Sequence, residues 1–379
     1  LPLAAAFCEA GMQVVGIDIS AGKVDTINSG RSVTPDVAHE DVARFVEAGL
    51  LSATTDFSAV ADVGLISICV PTPLRKSKDP DISYIIASCD ALVPHVSKGS
   101  VVVLESTTYP GTTREIILPR FEEAGFEVGK DVHLAFSPER IDPGNPTWNV
   151  QNTPKVVGGL TPACSEKASA IYARALAAIV PVRDAETAEL AKLLENTFRS
   201  VNIGLVNELA IACRRLGVSV FEVIDAAATK PFGFMPFRPG PGLGGHCLPI
   251  DPLYLSWKMR TLDYKVRFID LADEVNSSMP AYVVTRCAEV LNDAQKAVNG
   301  SKGGASVSYH DPYVPRYSFR GEELPSVTLD EVMSGDFDLA IVTTDHQNFD
   351  YEAFVARGVP VLDTRNAFGR RSEAHVHTL

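Results

Sequence analysis

The sequence predicts an α/β protein in which two Rossmann-like parallel-sheet domains are joined by a central long helix. Three patterns carry this. Over the first 160 residues, short β-rich runs alternate with stretches of helical spacing, the signature of βαβ units and a parallel sheet. Residues 186–217 form the longest helical pattern in the chain. Strand-like runs then return near the end.

Taken in order, "LPLAAAFCEAG" reads as a helix that stops at Gly11, so the chain opens inside a βαβ unit whose first strand and glycine turn are expected upstream of Leu1. "QVVGIDIS" (13–20), "VGLISICVPTP" (63–73), "SVVVLESTT" (100–108) and "VHLAFSPER" (132–140) are the β-rich runs. Residues 38–50 and 83–96 have helical spacing. Each run ends in polar or turn residues, and ligands of open α/β sheets bind outside the carboxyl ends of the strands. Four successive strand ends therefore point to one crevice.

Asp18 ends what would be the second strand. An acid there hydrogen-bonds the ribose of a dinucleotide and favours NAD over NADP. The plainer alternative is a surface Asp capping the turn at "DIS".

The helix 186–217 would span about 45 Å, which suits a spine between domains. Lys192 and Asn196 stand four apart on it, projecting from one face among apolar neighbours. A solvated polar stripe is the alternative. A helical stretch follows from about 252 to 299. Then "SVSYHDPYV" (306–314), "FDLAIVTTDH" (337–346) and "VPVLDTRN" (359–366) suggest strands of a smaller α/β domain. The short "NGSKGGAS" leaves no room for that domain's first βα unit, so a break in the chain is expected between Lys302 and Ala305. The expected domains are 1–185, 186–285 and 286–379.

Composition narrows the class. With 46% hydrophobic and 21% charged residues, the chain can build globular cores throughout. A net charge of −13 argues against nucleic acid as a partner. No apolar run reaches the ~18 residues of a membrane span. Seven scattered cysteines and no signal-like start point to a reducing cytoplasm.

The most informative stretch is "PGPGLGGHCLPIDP" (239–252). Four glycines and four prolines exclude a regular helix or central strand. No second Cys or His stands at metal-ligand spacing, so no metal site is expected. A lone Cys is most often a buried inert thiol. Cys247, however, follows Gly-Gly-His in a tight loop whose backbone N–H groups would surround it, which suits a thiolate nucleophile.

This loop closely resembles the catalytic loop of the nucleotide-sugar 6-dehydrogenases, the UDP-glucose and UDP-N-acetylhexosamine dehydrogenases. "VPTP" (70–73), "ESTTYPGTT" (105–113), "FSPERIDPGN" (136–145), "PKVVGG" (154–159) and "ELAKLLENTFRSVNIGLVNELA" (189–210) resemble that family's motifs in its order. "KPFGFMPFRPGPGLGGHC" is most similar to the UDP-N-acetylglucosamine branch. Pro143 stands where the UDP-glucose type usually has a second glutamate, and Arg238 where an aromatic or small polar residue is common in the acetylglucosamine branch.

The resemblance implies an NAD domain, a central dimerising region and a C-terminal nucleotide-binding domain. It implies a homodimer that oxidises C6 of UDP-N-acetylglucosamine or a UDP- or dTDP-glucose to the acid while reducing two NAD+. Carried over by motif, Cys247 captures the C6 aldehyde and passes through a thioester. Lys192 and Asn196 stabilise the oxyanion, Asp251 and Thr107 handle the water, and Glu139 assists. Asp18, Lys23, Val70, Pro71, Thr72, Ser106, Thr107 and Glu139 would line the cofactor. Phe136, Arg140, Lys192, Asn196, Phe237, Arg238, Gly240, Gly242 and Gly244 would meet the substrate. Two other classes remain as alternatives. A two-electron hydroxy-acid dehydrogenase needs no cysteine, and a non-catalytic nucleotide-sugar-binding protein needs none of the Lys192, Asn196, Cys247 and Asp251 set.

Overall fold

The computed structural model describes residues 1–141, 145, 147–245, 247–294, 305–319, 321–346, 349–369 and 374–379. The expected break between Lys302 and Ala305 lies outside the described residues. In chain order the elements begin with α1 (Pro2–Glu9), β1 (Val14–Ile17), α2 (Ala21–Asn28), α3 (His39–Glu47), β2 (Leu51–Thr54), β3 (Leu65–Ile68) and α4 (Ser83–Leu92). Next come β4 (Val101–Leu104), α5 (Leu118–Glu123), β5 (His133–Phe136), β6 (Lys155–Gly159), α6 (Pro162–Tyr172) and β7 (Ile179–Val182). Helices α7 (Ala185–Leu216), α8 (Val220–Ala228), α9 (Asp251–Arg260) and α10 (Arg267–Asp293) follow. The end of the chain holds β8 (Arg316–Phe319), β9 (Glu322–Pro325), α11 (Leu329–Ser334), β10 (Ala340–Val342), α12 (Tyr351–Val355), β11 (Val361–Asp363) and β12 (Val376–Thr378).

These elements form two compact units. One comprises Leu1–Phe198 and His246–Ile269, the other Arg199–Gly245 and Asp270–Leu379. In the first, β1 pairs in parallel with β2, and a five-stranded sheet runs β3-β4-β5-β6-β7. Strands β3, β4 and β5 are parallel neighbours, so their carboxyl ends stand side by side. Strand β6 is antiparallel to β5, which makes this sheet mixed rather than purely parallel. Its core is apolar on both faces, as a helix-covered sheet requires. Ile85, Leu104, Phe121, Leu134 and Phe136 fill one side, and Ala6, Val101, Val103, Val157 and Tyr172 the other. The paired glycines of "PKVVGG" are explained by close approach: a Cβ on Gly158 would strike the Asp184 carbonyl, and one on Gly159 the Ser165 amide.

The second unit contains a three-stranded parallel sheet β10-β11-β12 and the antiparallel hairpin β8-β9. Its core gathers Val206, Phe221, Ile224, Met279, Val283 and Leu362.

Two expectations need correction. Among the described residues of the run 252–299 there are two helices, α9 and α10, because Asp263 adopts φ 55° and breaks the helix between them; Asp is one of the few residues that tolerate the left-handed region. Residues 306–314 form no strand. The Asp311 carboxylate accepts the Tyr313 and Val314 amides and folds the chain into a turn, so strand structure starts only at Arg316. Among the described residues, no helix is long and apolar enough to cross a membrane.

Candidate active site

The first unit places the expected cofactor residues at its strand ends. Asp18 follows β1 directly, and its carboxylate accepts the Ser20 amide at 2.9 Å and the Lys23 ammonium at 3.1 Å. Burial works against ionisation there, but the Ser20 and Lys23 bonds hold the carboxyl below its ordinary range. Thus Lys23 reaches the site through Asp18. Beyond β3, the Val70 carbonyl accepts Ser106 Oγ at 2.7 Å, which ties "VPTP" to the end of β4. Glu139, just beyond β5, accepts the Arg140 amide at 2.6 Å and the Ile141 amide at 2.9 Å. These residues fit a dinucleotide: an ionised, partly exposed acid at one strand end can accept ribose hydroxyls, and three adjacent strand ends supply turns rather than bulk.

The reactive set converges within the same unit. Lys192 and Asn196 are buried on α7, at 9% and 4% exposure, so the solvated-stripe alternative is excluded. Asn196 Nδ2 donates to Asp251 Oδ2 at 2.5 Å. Burial pushes the Asp251 carboxyl up to about 6, against the opposing pull of the Asn196 bond and the Lys192 charge. Asp251 opens α9, and its amide donates to the Cys247 carbonyl at 2.8 Å. Cys247 itself is exposed, not buried among apolar side chains. It stands four residues before Asp251, the first residue of α9. Helix α9 is fastened to the strand-end loops at three points. Tyr254 donates to the Thr72 carbonyl, Trp257 packs on Tyr109 at 4.9 Å, and Lys258 pairs with Glu115 at 2.6 Å.

Two residues expected at the substrate are engaged elsewhere. Phe136 is fully buried in the core, so its side chain packs rather than binds. Arg140 pairs with Glu195 at 2.6 Å and donates to the Pro154 carbonyl at 2.9 Å.

The glycine loop up to Gly245 belongs to the second unit. The Gly240 amide donates to Asn207 Oδ1 at 2.9 Å, Asn207 Nδ2 donates to Asn276 Oδ1 at 2.8 Å, and Asn276 Nδ2 to the Ser200 carbonyl at 3.0 Å. A buried chain of amides thus anchors the loop to α7 and α10. Gly242 adopts φ +123° and lies where a Cβ would come within 3.2 Å of the Asn276 carbonyl. Pro280, four residues on, offers that carbonyl no helical N–H, which leaves room for the loop to back onto it. A Cβ at Gly240 would meet Arg365 Nη1 at 2.5 Å, so only glycine lets this guanidinium lie over the loop. Gly244 has open space around it. Phe237 packs on the unit's core, and Arg238 is engaged by Asp225.

The family model "UDP-glucose/GDP-mannose dehydrogenase family, NAD binding domain" matches residues 1–176, and that of its central domain matches 186–278. A UDP-N-acetyl-D-mannosamine dehydrogenase of Salmonella typhi is 38% identical over 309 residues, 79% of this chain and 71% of that protein. The chain belongs to the UDP-glucose/GDP-mannose dehydrogenase family. A UDP-N-acetyl-D-glucosamine 6-dehydrogenase of Pseudomonas aeruginosa is 36% identical over 304 residues, covering 80% of this chain and 71% of its own. Among solved structures, the UDP-D-ManNAc dehydrogenase of Pyrococcus horikoshii superposes with a TM-score of 0.86 at 27% identity, covering 100% of this chain and 96% of that one. This family member is therefore an oxidoreductase that uses NAD.

Several residues that shape these clusters had no distinct signal in the sequence. Glu189 lies on the same face of α7 as Lys192 and Asn196, and it accepts the Gly111 amide, the Thr113 amide and Thr113 Oγ1 at 2.5, 2.9 and 2.7 Å. Burial pushes its carboxyl up to about 7 although all three donors oppose that. Its spacing from Lys192, three residues, was the one available clue. Asn207, Asn276 and Arg365 read as ordinary polar residues until the fold brings them to the glycine loop.

Proposed function

We propose that this enzyme oxidises a UDP-linked 2-acetamido sugar at C6, in four electrons, to the uronic acid. The substrate class rests on the relatives named for UDP-N-acetylmannosamine and UDP-N-acetylglucosamine. Bound NAD+ supplies the hydride acceptor. The chain's own groups do the rest. Cys247 adds its sulfur to the C6 aldehyde to give a thiohemiacetal; loss of a second hydride to NAD+ would leave a thioester on Cys247, which water cleaves to the acid and the free thiol. Lys192 and Asn196 offer fixed donors to the oxygen that gains charge. Asp251 and Thr107 orient and deprotonate the water, with Glu139 assisting. The observation that carries this reading is the Asn196–Asp251 bond, since Asp251 also holds the backbone of Cys247. In the second unit, the backbone of Gly240, Gly242 and Gly244 together with Arg365 would receive the diphosphate. We assign residues 1–185 to the cofactor, 186–285 to dimerisation and the thiol loop, and 286–379 to the nucleotide. A reducing cytoplasm suits a thiol nucleophile.

The deciding measurement is NADH formed per sugar consumed, across a panel of UDP- and dTDP-sugars. The expected result is two, with the acetamido sugars preferred. One NADH per sugar would instead mean a two-electron dehydrogenase, and none a binding protein.

Asp251 also sets a pH dependence. A base must be ionised to work, and this carboxyl titrates near 6. The rate kcat/KM should therefore rise with pH through about 6 and level off above it. Asp251→Asn should remove that acid limb along with most of the rate. An unchanged limb in the variant would exclude Asp251 as the base.

Helix α7 exposes Leu194 at 64% and Leu205 at 61%, with Leu190 at 43% on the same helix. An apolar stripe of this length calls for a partner, and a second copy of the chain is expected to cover it. Light scattering should show a dimer or a multiple of one; a monomer at micromolar concentration would contradict this.

A further inference from the structure

Beneath the strand ends lies a buried polar cluster that the proposed chemistry does not use. Glu105, the first residue past β4, is 4% exposed, and Lys155, the first residue of β6, is 5% exposed. Lys155 Nζ lies 2.6 Å from Glu105 Oε2. The other carboxylate oxygen accepts Ser67 Oγ from β3 at 2.9 Å and Tyr172 Oη from α6 at 2.5 Å. Lys155 Nζ also donates to the Pro138 carbonyl at 3.3 Å and lies 5.5 Å from the centre of the Tyr172 ring.

Stability alone does not account for such a pair. Two buried charges repay their desolvation only with good geometry, and an apolar pair of similar volume is often as stable. What the pair does is geometric. Glu105 directly precedes Ser106 and Thr107. Pro138 directly precedes Glu139. One carboxylate and one ammonium thus tie together β3, the end of β4 and the segment after β5.

We propose that Glu105 and Lys155 are a positioning pair that sets the spacing between Thr107 and Glu139, and that the pair acts on the reaction through them. This rests on the roles given to Thr107 and Glu139 above. Neither Glu105 nor Lys155 touches substrate or cofactor in this account.

The test is the double variant Glu105→Gln/Lys155→Met in the full-length enzyme, which removes both charges at nearly constant volume. The expected result is a thermal midpoint close to wild type, a KM for the nucleotide sugar within about twofold, and a kcat lower by about 10–100-fold, the scale of an ångström-sized misplacement. Thr107→Ala and Glu139→Gln are then made in both backgrounds. If the pair works through these residues, each should slow the wild-type enzyme and cost little further in the double variant. A double variant that folds and keeps kcat within twofold overturns the positioning role while leaving the roles of Thr107 and Glu139 standing. Fully additive losses also overturn it, since they mean the pair acts elsewhere. If Thr107→Ala and Glu139→Gln leave the wild-type rate unchanged, the underlying assignment fails and this proposal falls with it. Tyr172→Phe deletes a single donor to Glu105 without changing charge. It carries the same cycle, with a smaller loss expected, should the double variant not fold.

Discussion

Cys247→Ser is expected to end production of the uronic acid, lowering steady-state turnover by a factor on the order of 10³ or more. In the proposed reaction the sulfur is the atom that adds to the aldehyde carbon and later leaves it. A serine hydroxyl at the same point is far less ionised at neutral pH, and any ester it forms would hydrolyse slowly. Binding should survive, because the exposed Cys247 side chain supports no core. Calorimetry should therefore show nucleotide-sugar and NAD+ affinities near wild type beside an NADH signal reduced to background. Mass spectrometry of the stalled variant can reveal a covalent sugar adduct on Ser at this position. Wild-type acid production by the variant would make Cys247 structural and remove the centre of the mechanism.

Lys192→Ala should lower kcat by about 10²–10³, the usual loss when one fixed donor to a developing oxyanion is removed. Nucleotide-sugar affinity should change little, since the role proposed for the lysine is at the reacting oxygen and not at the nucleotide. A second readout follows from its neighbour. The Lys192 charge pulls the Asp251 carboxyl down against the push of burial. Deleting that charge should move the acid limb of the pH–rate profile to higher pH. Loss of rate with an unmoved limb would separate Lys192 from Asp251, and an unchanged kcat would take it out of the reaction.

Much of this was legible along the chain, for a physical reason. Strand alternation and the 32-residue helix α7 are written in hydrophobic periodicity, which is a local property. The glycine–proline loop shows in composition, because few residues can follow that backbone. Strands β2, β6 and β7 were harder to see. They are no shorter than the strands that showed, but β2 (LSAT) is half polar, β6 (KVVGG) ends in two glycines and β7 (IVPV) holds a proline, each of which weakens the β signal. Asp263 was equally quiet, since a single residue in the left-handed region breaks a helix whose spacing looks continuous.

By itself the sequence determined the α/β class, the acid at the end of β1, the Lys192–Asn196 face and the lone thiol in its constrained loop. Only the tertiary structure decided which polar groups work together. It joined Asn196 to Asp251 across 55 positions of chain, Glu189 to Gly111 across 78 and Lys155 to Glu105 across 50. It also withdrew Phe136 into the core and gave Arg140 to Glu195. The reason is that burial changes what a side chain must do. In water a carboxylate or ammonium is satisfied anywhere, so its position in the sequence says little. Once desolvated, it must find a partner of matching charge or hydrogen-bonding capacity, and only the folded chain says which partner lies within reach.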